Sequence, residues 1–86
     1  MTKVTIYTRQ FCPYCSRALA LLKEKKADFT EIDAGMDAAL KEEMIQRSGG
    51  GRTFPQIFVG DTHIGGCDDM MALDRAGKLD PMLTGA

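Results

Sequence analysis

Apolar and polar positions recur along this chain with two different periods. Val4-Thr5-Ile6-Tyr7-Thr8 is a β-branched and aromatic run closed by polar Arg9 and Gln10, which predicts a buried strand. From Pro13 onward Cys15, Ala18, Leu19 and Leu22 fall at i, i+3, i+4 and i+7, one face of a helix running to about Lys26. Phe29-Thr30-Glu31-Ile32-Asp33 alternates apolar and polar and predicts a second strand. A helix between the two strands makes a right-handed parallel crossover the expected connection.

Asp37 is placed to cap a second helix whose Leu40, Met44 and Ile45 face inward, and Gly49-Gly50-Gly51 stops it. Gln56-Ile57-Phe58-Val59, Gly60-Asp61 and Thr62-His63-Ile64 predict a hairpin with a two-residue primed turn, ended by Gly65-Gly66. Asp68 and Asp69 open a last helix through Met70, Met71 and Leu73 to Ala76, with Gly77 ending it and Thr84-Gly85-Ala86 left as a short polar tail. The predicted order is β-α-β-α-β-β-α, an α/β architecture in which three helices flank a four-stranded mixed sheet. Residues 1–86 are expected to form a single domain without repeats or linkers.

Composition narrows the chemistry. A hydrophobic fraction of 44% and a charged fraction of 27% fit a core that needs no covalent staples, so the three cysteines read as chemical rather than architectural. A formal charge of -1 gives no electrostatic footprint for nucleic acid and none for a membrane surface. The start of the chain runs directly into a strand, with neither a signal-peptide core nor a membrane-length apolar run. The expectation is a cytoplasmic protein whose thiols stay reduced.

The candidate chemistry lies in Cys12-Pro13-Tyr14-Cys15, between the first strand and the first helix. With Cys12 at the N-cap, Pro13 falls at N1, and the Tyr14 and Cys15 N–H groups lie near the Cys12 sulfur. Such a helix start can lower a cysteine pKa from about 8.5 into the range of roughly 3.5 to 7.5, which makes Cys12 the expected nucleophile. Cys15, one turn later and on the apolar face, is expected to be less exposed and suits a resolving thiol. Two other readings stand beside this one. The pair could be half of a zinc site, for which only Cys67 and His63 remain as further ligands, or two buried structural thiols. Pro55 stands at the entrance to a strand, and its peptide bond is by default trans. Cys67, Asp68 and Asp69 sit at a helix start, where backbone N–H groups hold a carboxylate or the acids simply cap the helix.

Three segments together, Ile6-Tyr7-Thr8-Arg9-Gln10-Phe11-Cys12-Pro13-Tyr14-Cys15, Thr53-Phe54-Pro55-Gln56-Ile57-Phe58-Val59 and Gly65-Gly66-Cys67-Asp68-Asp69, resemble the signature segments of dithiol glutaredoxins. The resemblance implies a thioredoxin-like fold and glutathione-dependent reduction of glutathione mixed disulfides and protein disulfides, with no metal. It makes Cys12 the nucleophile, Cys15 the resolving thiol and Pro55 a cis proline. Phe54, beside Thr53, would pair its backbone with the cysteine unit of glutathione, and Tyr14 would flank the tripeptide. Arg9, assisted by Arg52, would meet the glycine carboxylate. Gly66, Cys67 and Asp68 would take the γ-glutamyl end, with Asp69 nearby. The sequence departs from the family pattern at Phe54, where Val is more usual, and at Cys67, a third thiol open to glutathionylation or an intermolecular disulfide.

The resemblance also frames the rivals. A thioredoxin-type reductant usually carries Trp-Cys-Gly-Pro-Cys, and this chain has no Trp. A glutathione-ligated iron–sulfur carrier is associated with Cys-Gly-Phe-Ser, and Pro13 would crowd the cluster. Expected partners are glutathione and glutathionylated or disulfide-containing proteins, with ribonucleotide reductase or a sulfur-assimilation reductase among the candidate clients. A monomer is expected.

Overall fold

The computed structural model describes residues 1–85. Four strands, β1 (Val4–Thr8), β2 (Phe29–Asp33), β3 (Gln56–Val59) and β4 (Thr62–Gly65), form one sheet in the order β2-β1-β3-β4. β1 runs parallel to β2 and antiparallel to β3, which pairs antiparallel with β4. The helices are α1 (Pro13–Glu24), α2 (Ala38–Arg47), α3 (Cys67–Arg75) and α4 (Leu79–Thr84).

The two-residue period of the strands divides the core. Val4, Ile6, Ile57 and Val59 face α1, α3 and α4, where they meet Ala18, Leu21, Leu22, Met70, Leu79 and Leu83. Tyr7 and Phe58 point the other way, toward Met44 of α2 and Ala34. Leu40 and Ile45 pack at the edge of this second cluster, as their spacing predicts. The face of α1 is wider than predicted and includes Leu21, because α1 packs on α3 as well as on the sheet.

Local chemistry sets the element ends. Asp37 caps α2 by accepting from the N–H groups of Ala39 and Leu40, both at 3.0 Å. The α1 end folds back with Ala27 N–H on Leu22 O and Lys26 N–H on Lys23 O, a Schellman pattern. Its left-handed position is Lys26, at φ 55, where the same pattern after α3 uses Gly77 at φ 71. Gly60 opens the β3–β4 turn at φ 58.

Three helices were expected and four are present. The additional helix, α4, begins beyond Gly77 and has Pro81 in its first turn, where a proline breaks no intrahelical bond. Leu79 and Leu83, one turn apart, bury it against the main core. Of the expected polar tail, Thr84 ends α4, Gly85 caps it at φ 77, and Ala86 lies outside the described residues.

Candidate functional site

β1 delivers the chain to the start of α1, and the turn between them carries the thiols. Cys12 is the N-cap in an extended conformation, Pro13 occupies the first helical position, and Cys15 N–H donates to Cys12 Sγ at 3.2 Å. Both cysteines are buried, Cys12 at 5% and Cys15 at 3% exposure, so their difference lies in surroundings rather than access. Burial pushes the Cys15 thiol up to about 12, reinforced by its hydrogen bond and charge interaction with Cys12. Cys12 receives a backbone N–H at its sulfur and Cys15 is held as a neutral thiol. The pair is free of a disulfide.

The Phe54–Pro55 peptide is cis, as the resemblance implies and against the trans default for an isolated X-Pro bond. This places Phe54 O 3.9 Å from Cys12 Sγ. On the far side, Pro55 O stands 3.5 Å from where a Cβ on Gly66 would lie, so the loop and the start of α3 close on each other. Gly65 adopts φ 119, and a side chain there would collide with the Asp69 carboxylate.

Two cavities adjoin along this loop. One, of about 370 Å³, is lined by Tyr14, Thr53, Phe54 and Pro55 and by Gly66, Cys67, Asp68 and Asp69 at the α3 start. The other, of about 500 Å³, is lined by Arg9, Tyr14, Lys41, Arg52, Thr53 and Phe54. All ten candidate binding residues named from the sequence therefore line one or both cavities. Tyr14, Thr53 and Phe54 are common to the two and join them into one groove beside the thiols. One end of this groove is cationic, and the other is a helix N-terminus with exposed Asp68.

The carboxylates at α3 differ in use. Asp69 Oδ2 accepts from Gly66 N–H at 2.9 Å and so closes its own helix start, while Asp68, exposed and lining the same cavity, makes no such bond. Cys67 is 3% exposed, and burial pushes its thiol up. Among the described residues no three His, Cys, Asp or Glu side chains gather to hold a metal, so the arithmetically possible set of Cys12, Cys15, Cys67 and His63 is not assembled.

Sequence reasoning missed three contributors. Lys41 reaches the cationic cavity from α2, and nothing in its local sequence signals that. Gln56 and His63 lie behind the Thr53–Pro55 loop, where Gln56 Nε2 donates to Thr53 O at 3.0 Å and to Thr53 Oγ1 at 3.2 Å. The one available signal was a polar residue opening an otherwise apolar strand.

A four-stranded mixed sheet of this topology, with a dithiol at the first helix start and a cis proline facing it, defines a thioredoxin-like thiol–disulfide oxidoreductase. The glutaredoxin family model matches residues 4–64, and the chain belongs to the glutaredoxin family. It is 55% identical over 83 residues to glutaredoxin 3 of Escherichia coli, covering 96% of this chain and 99% of that protein. The solution structure of a Brucella melitensis glutaredoxin superposes with a TM-score of 0.82 at 56% identity, covering 100% of this chain and 94% of the other. A buckwheat glutaredoxin–glutathione complex gives a TM-score of 0.85 at 36% identity, covering 95% of this chain and 76% of that one.

Proposed function

We propose that residues 1–86 act as a single glutaredoxin domain, reducing glutathione mixed disulfides through Cys12 alone and protein disulfides through Cys12 and Cys15. The observation that carries this reading is the Cys12 sulfur, held under the Cys15 N–H at 3.2 Å beside a groove with a cationic end and a helix-start end. Glutathione has a carboxylate at each end and one ammonium group, which suits that charge pattern. The Arg9, Lys41 and Arg52 cations meet its glycine carboxylate. The N–H groups at Cys67 and Asp68 take the γ-glutamyl carboxylate, and Asp68 faces the ammonium. Phe54 offers its backbone to the cysteine unit, and Tyr14 flanks it.

In the monothiol route the Cys12 thiolate attacks the glutathione sulfur of a mixed disulfide. The Cys12–glutathione bond forms, the original disulfide breaks, and the client leaves as a thiolate that takes up a proton. A second glutathione thiolate then attacks the glutathione sulfur on Cys12. Oxidised glutathione departs, and the Cys12 thiolate is restored, so two glutathiones supply the two electrons. In the dithiol route the Cys12 thiolate attacks one sulfur of a protein disulfide, whose S–S bond breaks to free the other sulfur as a thiolate. Cys15 then attacks the Cys12 sulfur and expels the first client sulfur as a second thiolate. This leaves a Cys12–Cys15 disulfide that two glutathiones reduce in turn.

Burial and the neighbouring Cys12 together hold Cys15 as a thiol, with its pKa pushed up to about 12. Bonding of Cys12 to a client lifts only the smaller, Cys12 part of this push, and burial, the larger part, stays. We place the protein in the cytoplasm as a monomer serving glutathionylated or disulfide-containing clients, for which ribonucleotide reductase has suitable chemistry.

The test is glutathione-dependent reduction of the mixed disulfide of cysteine and glutathione by wild type and two variants. Cys12→Ser abolishes turnover, while Cys15→Ser keeps it and loses most reduction of a protein disulfide. Full activity in Cys12→Ser would overturn the assignment.

A further inference from the structure

Two large apolar side chains beside the site stand almost wholly in solvent: Phe11 at 95% and Met36 at 93% exposure. They line one cavity with Arg9, Gln10 and Gly35. Phe11 holds φ 57, a left-handed conformation that bulky residues rarely adopt, and its ring projects outward immediately before the nucleophile. Met36 is brought alongside by Gly35, where a Cβ would lie 2.5 Å from Arg9 Cβ, so the β1–α1 and β2–α2 turns touch only because residue 35 is glycine. This patch therefore depends on one left-handed residue and one close approach between turns.

Its position says what covers it. Phe11 also lines the cavity that holds Cys12 and Cys15, so the apolar surface is continuous with the reacting sulfurs. It shares no lining residue with the cavity at the α3 start, and only Arg9 and Gly35 with the cationic cavity. A tripeptide lying in the groove leaves this surface bare. A polypeptide whose disulfide has reached Cys12 must continue past it.

We propose that Phe11 and Met36 are a docking surface for the client polypeptide, an extended segment that places a large apolar side chain within a few residues of the cysteine whose disulfide Cys12 attacks. Arg9 is the one charged residue lining the cavity, so the segment is neutral or acidic rather than basic. The inference rests on the reading of Cys12 as nucleophile beside a glutathione groove, and names the partner of that site.

The test compares three substrates: the cysteine–glutathione mixed disulfide, and two glutathionylated peptides with Leu or Ser two residues from the cysteine, on the same side of an extended chain. Partial burial of one leucine predicts that wild type favours the Leu peptide about 5- to 10-fold in kcat/KM. Met36→Ser and Phe11→Asn, the latter keeping a residue tolerant of positive φ, each remove most of that preference. Met36→Ser leaves turnover of the cysteine–glutathione disulfide unchanged. Equal turnover of the two peptides by wild type, or a preference intact in both variants, overturns the docking surface alone. A concentration-dependent dimer in sedimentation that Met36→Ser abolishes also overturns it, by giving the patch to self-association. Wild type inert on the small mixed disulfide removes the parent reading, and the docking surface with it.

Discussion

Gln56 and His63 are joined across the β3–β4 hairpin by a 2.7 Å hydrogen bond between Gln56 Oε1 and His63 Nε2. Because Gln56 Nε2 is spent on Thr53 O and Oγ1, its oxygen must face the ring, which fixes the proton on His63 Nε2. The chain His63–Gln56–Thr53 therefore braces the loop before the cis proline from behind. Gln56 itself is only 5% exposed. Substituting Gln56→Leu leaves Thr53 O without this donor and frees the loop, at about 1–2 kcal/mol. The expected result is a KM for the cysteine–glutathione disulfide raised about 5- to 10-fold with kcat little changed, since the sulfur chemistry is untouched. An unchanged KM would show that the brace does not position the groove.

Cys67 lines the same groove, yet its exposure of 3% and its upward-shifted thiol, due first to burial, make it a poor nucleophile and a poor target for oxidation. These surroundings weigh against the glutathionylation to which a third thiol is open. Treatment with oxidised glutathione should leave wild type and Cys67→Ser with equal adduct counts by intact mass. One extra adduct on wild type would show that the α3 start opens enough to expose this sulfur.

Most elements could be read from the chain because each has a local cause. Val4–Thr8 is β-branched and aromatic, Asp37 is a capping acid, and Gly60 supplies positive φ at a tight turn. What could not be read depends on distant partners. The burial of Leu21 needs α3, and the cis geometry of Pro55 emerges only in the folded loop, so residue statistics point the wrong way while the family resemblance points the right way. α4 escaped notice because its pattern shrinks to the pair Leu79 and Leu83 around a proline. At the site the charged and aromatic candidates were found through motif resemblance. Lys41 belongs to no motif and arrives there through the packing of α2.

Lys26 offers a stabilising change. It sits exposed at φ 55 in the Schellman ending of α1, where Gly77 serves the same purpose after α3. Relief of the left-handed penalty of about 1–2 kcal/mol exceeds the added unfolded-state entropy of glycine, about 0.4–1 kcal/mol. Lys26→Gly should therefore raise stability by about 0.5–1 kcal/mol, and Tm by roughly 2–8 °C for a domain of this size. A lower Tm would mean that the Lys26 side chain makes a contact outweighing its backbone strain.

Alkaline pH should weaken the fold through Cys15. Its folded pKa of about 12, raised first by burial, lies above the ordinary 9.0. Below pH 9 both states hold the proton and nothing changes. Between 9 and 12 the unfolded chain releases the proton while the folded chain keeps it, so stability falls as pH rises. Cys67 and Tyr7, both shifted upward chiefly by burial, add in the same direction. Urea denaturation of the reduced protein at pH 8 and pH 10.5 should show a lower midpoint at the higher pH, and Cys15→Ala should show a smaller drop than wild type. The comparison between variants isolates Cys15 because Cys67 and Tyr7 remain in both. If the two proteins lose stability equally, Cys15 ionises as readily folded as unfolded. Its reserve as a protonated resolving thiol would then have to come from exclusion of the client rather than from burial of charge.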